Sequence, residues 1–342
     1  MVTESLGEKL AFRAQPSFTC AGVNWGVEQL QILLEIHGTV YIPNKDGLVH
    51  NKRVTQELRE QGAIFINHSS EVPEGSVVAN SMHGLSPLDM RIFMERRLLH
   101  YDLSCHLVHQ VHQRVLRAIE EAEEQEKKAK VLYWCKDTNH PEPRAILDLA
   151  PSHVVPVTSG QVLEEYQVQE NEMYFADSQT TLNVQHGMSL INEYRNKFPG
   201  LKGLPRIGIC FATFNRQAAL EGLIAAGIEK LVVIGSPESS NTSELVKIGR
   251  SHGLPVYFLE RAVLMERDMF EGFNKVGVHG GASVLPDEGD KAMEMFKSWG
   301  YRTEDLVVGK PEPRTFPNIK PKVYDFRFGH IPEELMNLTK TY

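Results

Sequence analysis

The sequence predicts an α/β protein made of three similar lobes with mostly parallel sheets, and three observations carry that expectation. Short β-branched and aromatic runs alternate with longer helical patterns, as in parallel strands joined by crossover helices. A unit of apolar run, cysteine and helix recurs at Cys20, Cys105 and Cys210, spaced by roughly a hundred residues, which suggests related lobes facing a common centre. At 342 residues the chain is long for a single core, so two or three compact units are expected.

Taken in order, Gly62-Ala63-Ile64-Phe65-Ile66 and Gly75-Ser76-Val77-Val78-Ala79 read as strands, the second ending at Ser81-Met82-His83-Gly84. Lys130-Val131-Leu132-Tyr133-Trp134 and Met173-Tyr174-Phe175-Ala176 are the next two, followed by Leu231-Val232-Val233-Ile234 and Val276-Gly277-Val278. Helical patterns run from Val108 to Glu126 and from Gln217 to Ala226. The charged run from Glu120 to Lys130 reads as a solvated face. The Pro- and Lys-rich stretch from Gly309 to Pro321 reads as an extended surface segment. Lobe boundaries are expected at 23–104, at 105–207, and at 1–22 joined with 208–318, with 319–342 as a C-terminal tail.

Composition narrows the partners. With 42% hydrophobic and 23% charged residues the chain reads as an ordinary globular protein. A net charge of −8 argues against nucleic acid or an anionic membrane as the main partner. The polar, mixed-charge stretch Met1 to Leu10 has no apolar core of a signal peptide, and no stretch is long and apolar enough to span a bilayer. Four scattered cysteines do not form a disulfide framework, so a reducing, cytoplasmic setting is expected.

In parallel α/β sheets ligands bind beyond the carboxyl ends of the strands, where helix N-termini offer free N–H groups. Those ends carry His83-Gly84, Ser178-Gln179-Thr180-Thr181, Ser236 with Ser239-Ser240-Asn241, and Gly280-Gly281-Ala282-Ser283. One such loop is ordinarily a helix N-cap. Four in corresponding positions point to a convergent site for an anion such as a diphosphate.

A single cysteine is ordinarily packing, because a free thiol behaves as a small hydrophobe. Cys20, Cys105 and Cys210 each sit where a strand gives way to a helix, and there the helix dipole favours the thiolate. Three thiolates can hold an iron–sulfur cube by three irons and leave the fourth open. Zinc is the weaker reading, since no close Cys pair exists. Cys135 follows a strand with no evident helix start, so it reads as a bystander, with a fourth-ligand role as the alternative. His50, His83 and His140 lie in loops that suit phosphate donors. Glu142, two residues after His140, is a salt-bridging carboxylate by default, and a proton donor if a closed site raises its pKa.

At this point the motifs resemble the 4-hydroxy-3-methylbut-2-enyl diphosphate reductase (LytB) family. The likeness runs from about Cys20 to Ser283, with an echo at Ile331-Pro332-Glu333-Glu334-Leu335. Its most specific pieces are Cys20-Ala21-Gly22-Val23, Leu48-Val49-His50-Asn51, Gln179-Thr180-Thr181-Leu182, Asn215-Arg216-Gln217, Ser239-Ser240-Asn241 and Gly281-Ala282-Ser283.

The resemblance implies a pseudo-threefold arrangement of lobes around a central [4Fe-4S] cluster with three cysteine ligands, Cys20, Cys105 and Cys210, and one open iron for the substrate hydroxyl. It implies that His50, His83, His140, Thr181, Ser239, Ser240, Asn241 and Ser283 grip the diphosphate. Glu142, Thr180 and His140 would be catalytic, with Glu142 delivering protons helped by Thr180. The reaction would remove the hydroxyl as water, giving isopentenyl and dimethylallyl diphosphates. A ferredoxin or flavodoxin-type protein would be the electron donor.

The chain departs from the family's pattern in several places. His106 follows the second cysteine where the family has Pro. Ser17-Phe18-Thr19-Cys20 stands for Gly-Phe-Cys, Trp134-Cys135-Lys136-Asp137 precedes His140 where a Gly-His pair is common, Pro143 follows Glu142, and His279-Gly280-Gly281 replaces Thr-Ala-Gly or Thr-Ser-Gly. Three alternatives to the reductase remain at this stage. One is a cluster-free protein that binds a phosphorylated ligand, one is an electron carrier or redox sensor with Cys135 as fourth ligand, and one is a diverged or inactive family member.

Overall fold

Several helix starts in this chain are set by side chains that accept the first free N–H groups. Asn51 Oδ1 accepts from Arg53 N (3.0 Å) and Val54 N (3.2 Å). Ser86 Oγ accepts from Asp89 N at 3.1 Å, with Pro87 in the first turn. His140 Nδ1 accepts from Glu142 N at 3.2 Å, again with a proline, Pro141, at the start. Proline suits that position because its missing N–H would have no helical partner.

The structure is a computed structural model describing residues 8–203, 208–308 and 311–329. In chain order come β1 (Leu10–Gln15), α1 (Ala21–His37), β2 (Val40–Ile42), α2 (Lys52–Glu60), β3 (Ala63–Phe65), β4 (Val77–Ala79), α3 (Pro87–Glu95), β5 (Leu99–Asp102) and α4 (His106–Glu123). Then follow β6 (Lys128–Trp134), α5 (Pro141–Leu149), β7 (Val154–Val157), α6 (Gly160–Glu165), β8 (Glu172–Ser178), α7 (Val184–Tyr194) and β9 (Lys202–Gly203). The last are α8 (Phe211–Ala225), β10 (Lys230–Ile234), α9 (Ser240–Ser251), β11 (Val256–Leu259), β12 (Lys275–Gly280), α10 (Pro286–Ser298), β13 (Arg302–Val307) and β14 (Lys322–Asp325). All six strands read from the sequence form, and the expected α/β class with mostly parallel sheets is what the chain adopts.

Two compact units divide these elements: residues up to 21 with 211–315, and residues 22–210 with the segment from 316. In the first unit a parallel sheet runs β11-β10-β12-β1-β13. Alternate residues of β10 face opposite cores. Val232 and Ile234 join Ala11, Val276, Val278 and Phe296, while Leu231 and Val233 join Ala14, Leu220, Leu223 and Leu245. Burial on both faces explains why the strand is a continuous apolar run. Each such side chain contributes ~1.5–3 kcal/mol by leaving water.

The second unit holds two sheets, β14-β5-β4-β2-β3 and β7-β6-β8-β9. All pairings are parallel except that of β14 with β5. β14 lies within the stretch read as a tail. It is a strand because Tyr324 and Phe326 are buried, Tyr324 stacking on His100 with ring centroids 5.6 Å apart. The helix expected over Val108–Glu126 is α4, which starts two residues earlier and stops at Glu123. Val111, Val115, Ala118 and Ala122 form its buried stripe against Ala129, Val131 and Tyr133 of β6. The charged run around it is therefore solvated only in part, since Ala122 and Ala129 are core residues.

Candidate active site

In the second unit the strand-end loops gather the predicted residues. His50 lies in the loop between β2 and α2, His83 in the loop after β4, and His140 caps α5. Ring centroids are 4.7 Å apart for His50–His83, 5.3 Å for His83–His140 and 5.7 Å for His50–His140. Burial, then the neighbouring rings His50 and His140, holds His83 well below the usual imidazole range. Burial also takes His140 down to about 4, with His50 adding to the shift. His83 and His140 therefore sit as neutral N–H donors, with Asp137 only partly offsetting the shift of His140. Thr181 Oγ1, from the loop after β8, is a buried atom with no hydrogen-bond partner among the described residues. A buried hydroxyl left in that condition suits an anionic ligand.

Glu142 occupies the first turn of α5 and is 1% exposed. β6 and β8 are parallel neighbours in register at Trp134 and Ser178, so the loops that follow them meet. Thr180 N donates to Glu142 Oε1 at 2.7 Å and Thr180 Oγ1 donates to Oε2 at 3.0 Å. Burial raises the carboxyl to about 7, assisted by the charge of Asp177 and opposed by the Thr180 hydrogen bonds. Among the described residues no cation pairs with it, so the salt-bridge reading of Glu142 gives way to that of an acid held near neutrality. Gln179 links the same corner, its N donating to Trp134 O at 2.9 Å and its Oε1 accepting from Lys136 N at 3.3 Å.

Each of the three cysteines precedes a helix: Cys20 before α1, Cys105 as the cap of α4, Cys210 before α8. Each donates its backbone N–H to a strand-end loop, Cys20 to Ala282 O (3.1 Å), Cys105 to Met82 O (3.0 Å) and Cys210 to Thr180 O (3.0 Å). None of the three is in a disulfide, and all are half-buried. Gly22 lies so close to Cys105 that a Cβ there would stand 2.8 Å from Sγ, which keeps side chains away from that thiol. Half-buried thiols at helix N-termini, one of them beside a position only glycine allows, are of the kind that ligates iron–sulfur groups. The strand expected before Cys210 falls partly on residues 204–207, outside the described residues.

Cys135 differs from these. It is 1% exposed in the core with Val131, Tyr133 and Ile146. Burial, then the charges of Asp137 and Glu142, pushes its thiol up to about 12.

In the first unit, Ser239 caps α9 by accepting from Thr242 N at 3.3 Å, and Ser240 and Asn241 open that helix. Asn241 Oδ1 accepts from Ala282 N (2.9 Å) and its Nδ2 donates to Thr213 Oγ1 (3.2 Å). This amide ties the β10 and β12 loops together, and Ser283 is buried in the second of them. The N-cap role and a ligand role coexist here, because capping uses one lone pair of Ser239 and leaves the hydroxyl proton free.

Sequence reasoning missed the buried polar groups around these loops. Asn80 Nδ2 donates to Ser104 Oγ (2.8 Å), Asn80 Oδ1 meets His100 Nε2 (2.9 Å), and Asp102 Oδ2 pairs with His109 Nε2 (2.9 Å). Arg216, 1% exposed, pairs with Glu312 at 3.0 Å. The departures also find neighbours: the His106 ring stands edge-on to Phe316 at 6.4 Å, and Ser17 Oγ lies 2.9 Å from His279 Nδ1. The only prior signal was Arg216 within the Asn-Arg-Gln motif.

Residues 12–294 match the family model described as LytB protein. The chain belongs to the LytB family. It is 32% identical over 307 residues, covering 89% of this chain and 95% of the other, to the 4-hydroxy-3-methylbut-2-enyl diphosphate reductase of Methylococcus capsulatus. It is 36% identical over 313 residues, 91% of this chain and 89% of the other, to the reductase of that name in Acidothermus cellulolyticus. Among solved structures, the E-1-hydroxy-2-methyl-but-2-enyl-4-diphosphate reductase of Plasmodium falciparum superposes with a TM-score of 0.83 at 26% identity, covering 97% of this chain and 98% of that one. A second reductase structure, of the terminal enzyme of the non-mevalonate pathway, shares the fold with a TM-score of 0.58 at 22% identity, over 85% of this chain and 99% of that one. Among the described residues no helix of this LytB protein is long and apolar enough to cross a membrane. The echo at Ile331–Leu335 lies outside the described residues.

Proposed function

We infer that this LytB protein is a 4-hydroxy-3-methylbut-2-enyl diphosphate reductase. It is an oxidoreductase that removes the allylic hydroxyl to give isopentenyl and dimethylallyl diphosphates in the methylerythritol phosphate route. Family membership and the reductase relatives at up to 36% identity support the activity. The observation that carries the mechanism is Glu142, a buried carboxyl raised to about 7 and held on both oxygens by Thr180. The balance is an allylic alcohol plus two electrons and two protons giving an alkene and water.

The cofactor is an iron–sulfur group. We assign it as a [4Fe-4S] cluster held by Cys20, Cys105 and Cys210 with one iron open, and Cys135 as a bystander. When bound, it would supply the electrons and a Lewis acid for the C–O bond. The protein's part is then the anchor and the proton. His50, His83 and His140 would donate N–H groups to the diphosphate, joined by Thr181, Ser239, Ser240, Asn241 and Ser283. Burial, then the neighbouring rings, disfavours the charged forms of His83 and His140, and an arriving anion would favour them, so the grip would tighten. Glu142 would protonate the departing oxygen. Thr180 can turn its hydroxyl from donor to acceptor as the Glu142 proton arrives or leaves, so the carboxyl keeps its direction in both states. Anchoring the diphosphate converts binding energy into position at the reacting end.

Three lobes, 23–104, 105–207 and 1–22 with 208–318, set around the cluster and followed by the 319–342 tail, complete the reading. A ferredoxin or flavodoxin-type donor and a cytoplasmic location go with it. Anaerobic iron and sulfide analysis tests it: about four irons per chain are expected, retained in Cys135→Ser and lost in Cys105→Ser. A colourless, iron-free wild type would overturn the cluster, and loss in Cys135→Ser would replace the open iron by a fourth thiolate.

A further inference from the structure

The segment that delivers Cys20 adopts a backbone conformation that its own residue opposes. Phe18 sits at φ 64, in the left-handed region that bulky side chains avoid. Four groups on the same unit hold it there. Its ring, 3% exposed, is wedged between two glycines: a Cβ on Gly280 would lie 2.3 Å from Cδ1, and one on Gly289 2.3 Å from Cε2. Its carbonyl accepts two hydrogen bonds from Arg216, at 2.7 Å from Nη2 and 3.1 Å from Nε. Its N–H donates to Gly280 O at 3.2 Å.

The clamp is itself anchored. Arg216 Nη1 donates to Glu312 Oε2 at 3.0 Å and to Ala212 O at 2.9 Å. Beside it, His279 Nε2 stands 2.9 Å from Arg216 O. Its Nδ1 lies 2.9 Å from Ser17 Oγ and 3.2 Å from Gly280 O. Ser17 Oγ in turn accepts from Gly280 N at 2.7 Å. An aromatic ring can fill a core slot at an ordinary φ. Here the left-handed turn aims the Phe18 carbonyl into the guanidinium and directs the chain toward Cys20, whose N–H is pinned again on Ala282 O at 3.1 Å.

We propose that Phe18, wedged between Gly280 and Gly289 and clamped through its carbonyl by Arg216, is a positioning residue that presents the Cys20 thiol, with Ser17 and His279 completing the latch. This rests on the reading of Cys20 as a cluster ligand. A thiol fixed before the cluster arrives removes an ordering cost from assembly.

The test uses cluster-free full-length protein, with iodoacetamide alkylation of each cysteine followed by mass spectrometry. Gly280→Ala, which forces the ring out, raises the Cys20 rate about tenfold while Cys105, Cys210 and buried Cys135 keep theirs, as expected of a local opening. Phe18→Gly raises it similarly. In the Phe18→Gly background Gly280→Ala adds nothing, because the clash has gone. Ser17→Ala, the mildest change, raises the Cys20 rate by a smaller factor. Equal effects of Gly280→Ala in both backgrounds, an unchanged Cys20 rate, or Cys135 rising in step with Cys20 would each overturn the positioning role. The readout needs no iron, so an iron-free wild type, which would sink the cluster reading, leaves this result interpretable on its own.

Discussion

Two carboxyls of the second unit lie almost fully buried and yet are held in opposite states. Asp102, 7% exposed, meets His109 Nε2 at 2.9 Å and accepts Ser104 N at 2.9 Å. Burial works against its charge, but the hydrogen bond and charge of His109, with His100 and Ser104, hold it well below the usual carboxylate range. Glu142, 1% exposed, receives only the two neutral donors of Thr180, and burial wins, raising it to about 7. The difference teaches that burial alone does not make an acid; the absence of a cationic partner does. One carboxylate is a fixed strut at the end of β5, three residues before Cys105. The other is poised to give up a proton near neutral pH.

The largest expected break in that contrast is Glu142→Gln, which keeps shape and hydrogen-bonding capacity but carries no transferable proton. Turnover should fall by ~10²–10⁴-fold, while inorganic pyrophosphate still protects the protein thermally. Undiminished reduction rates would remove Glu142 from proton delivery.

Next is the pH dependence of stability. Glu142 rises from 4.5 to about 7. The stability linked to its neutral form is therefore complete below about pH 4.5 and lost as pH climbs through about 7, amounting to ~3 kcal/mol. Denaturant melts across that window should slope downward in the wild type and flatten in Glu142→Gln. Asp102 carries the opposite sign: its contribution is present above about pH 4 and is lost only in stronger acid. Asp102→Asn should cost about 1.5–3 kcal/mol at pH 7 and remove that acid-side loss. Equal melting of this variant and wild type at pH 7 would show the strut idle.

The smallest effect belongs to Thr180→Val. Losing the hydroxyl bond, which lowers the Glu142 pKa, should move the alkaline limb of the activity profile, where this proton donor ionises, upward, with a rate loss of about tenfold from poorer orientation. A profile with an unmoved midpoint would separate Thr180 from the titration.

Much of this was legible in the sequence, for identifiable reasons. The continuous apolar run Leu231–Ile234 and the Val111-Val115-Ala118-Ala122 stripe carry their own periodicity, so strands and helices could be read locally. His83, Thr180 and the Ser239–Asn241 loop were visible because strand ends announce ligand loops. What stayed hidden depends on long-range contact. Nothing near Phe18 in the chain reveals Gly280 and Gly289 about its ring, and nothing near Glu142 reveals Thr180, 38 residues on. Strand β14 escaped because its neighbours are prolines and lysines, and its reason to form, His100 under Tyr324, lies far back in the chain.

The most direct test of the central claim is anaerobic turnover of iron-replete protein with 4-hydroxy-3-methylbut-2-enyl diphosphate and a chemical reductant, followed by product analysis. Isopentenyl and dimethylallyl diphosphates should form in the wild type and fail to form in Glu142→Gln. Iron-replete wild type that consumes no substrate, or a Gln variant that matches it, would contradict the account.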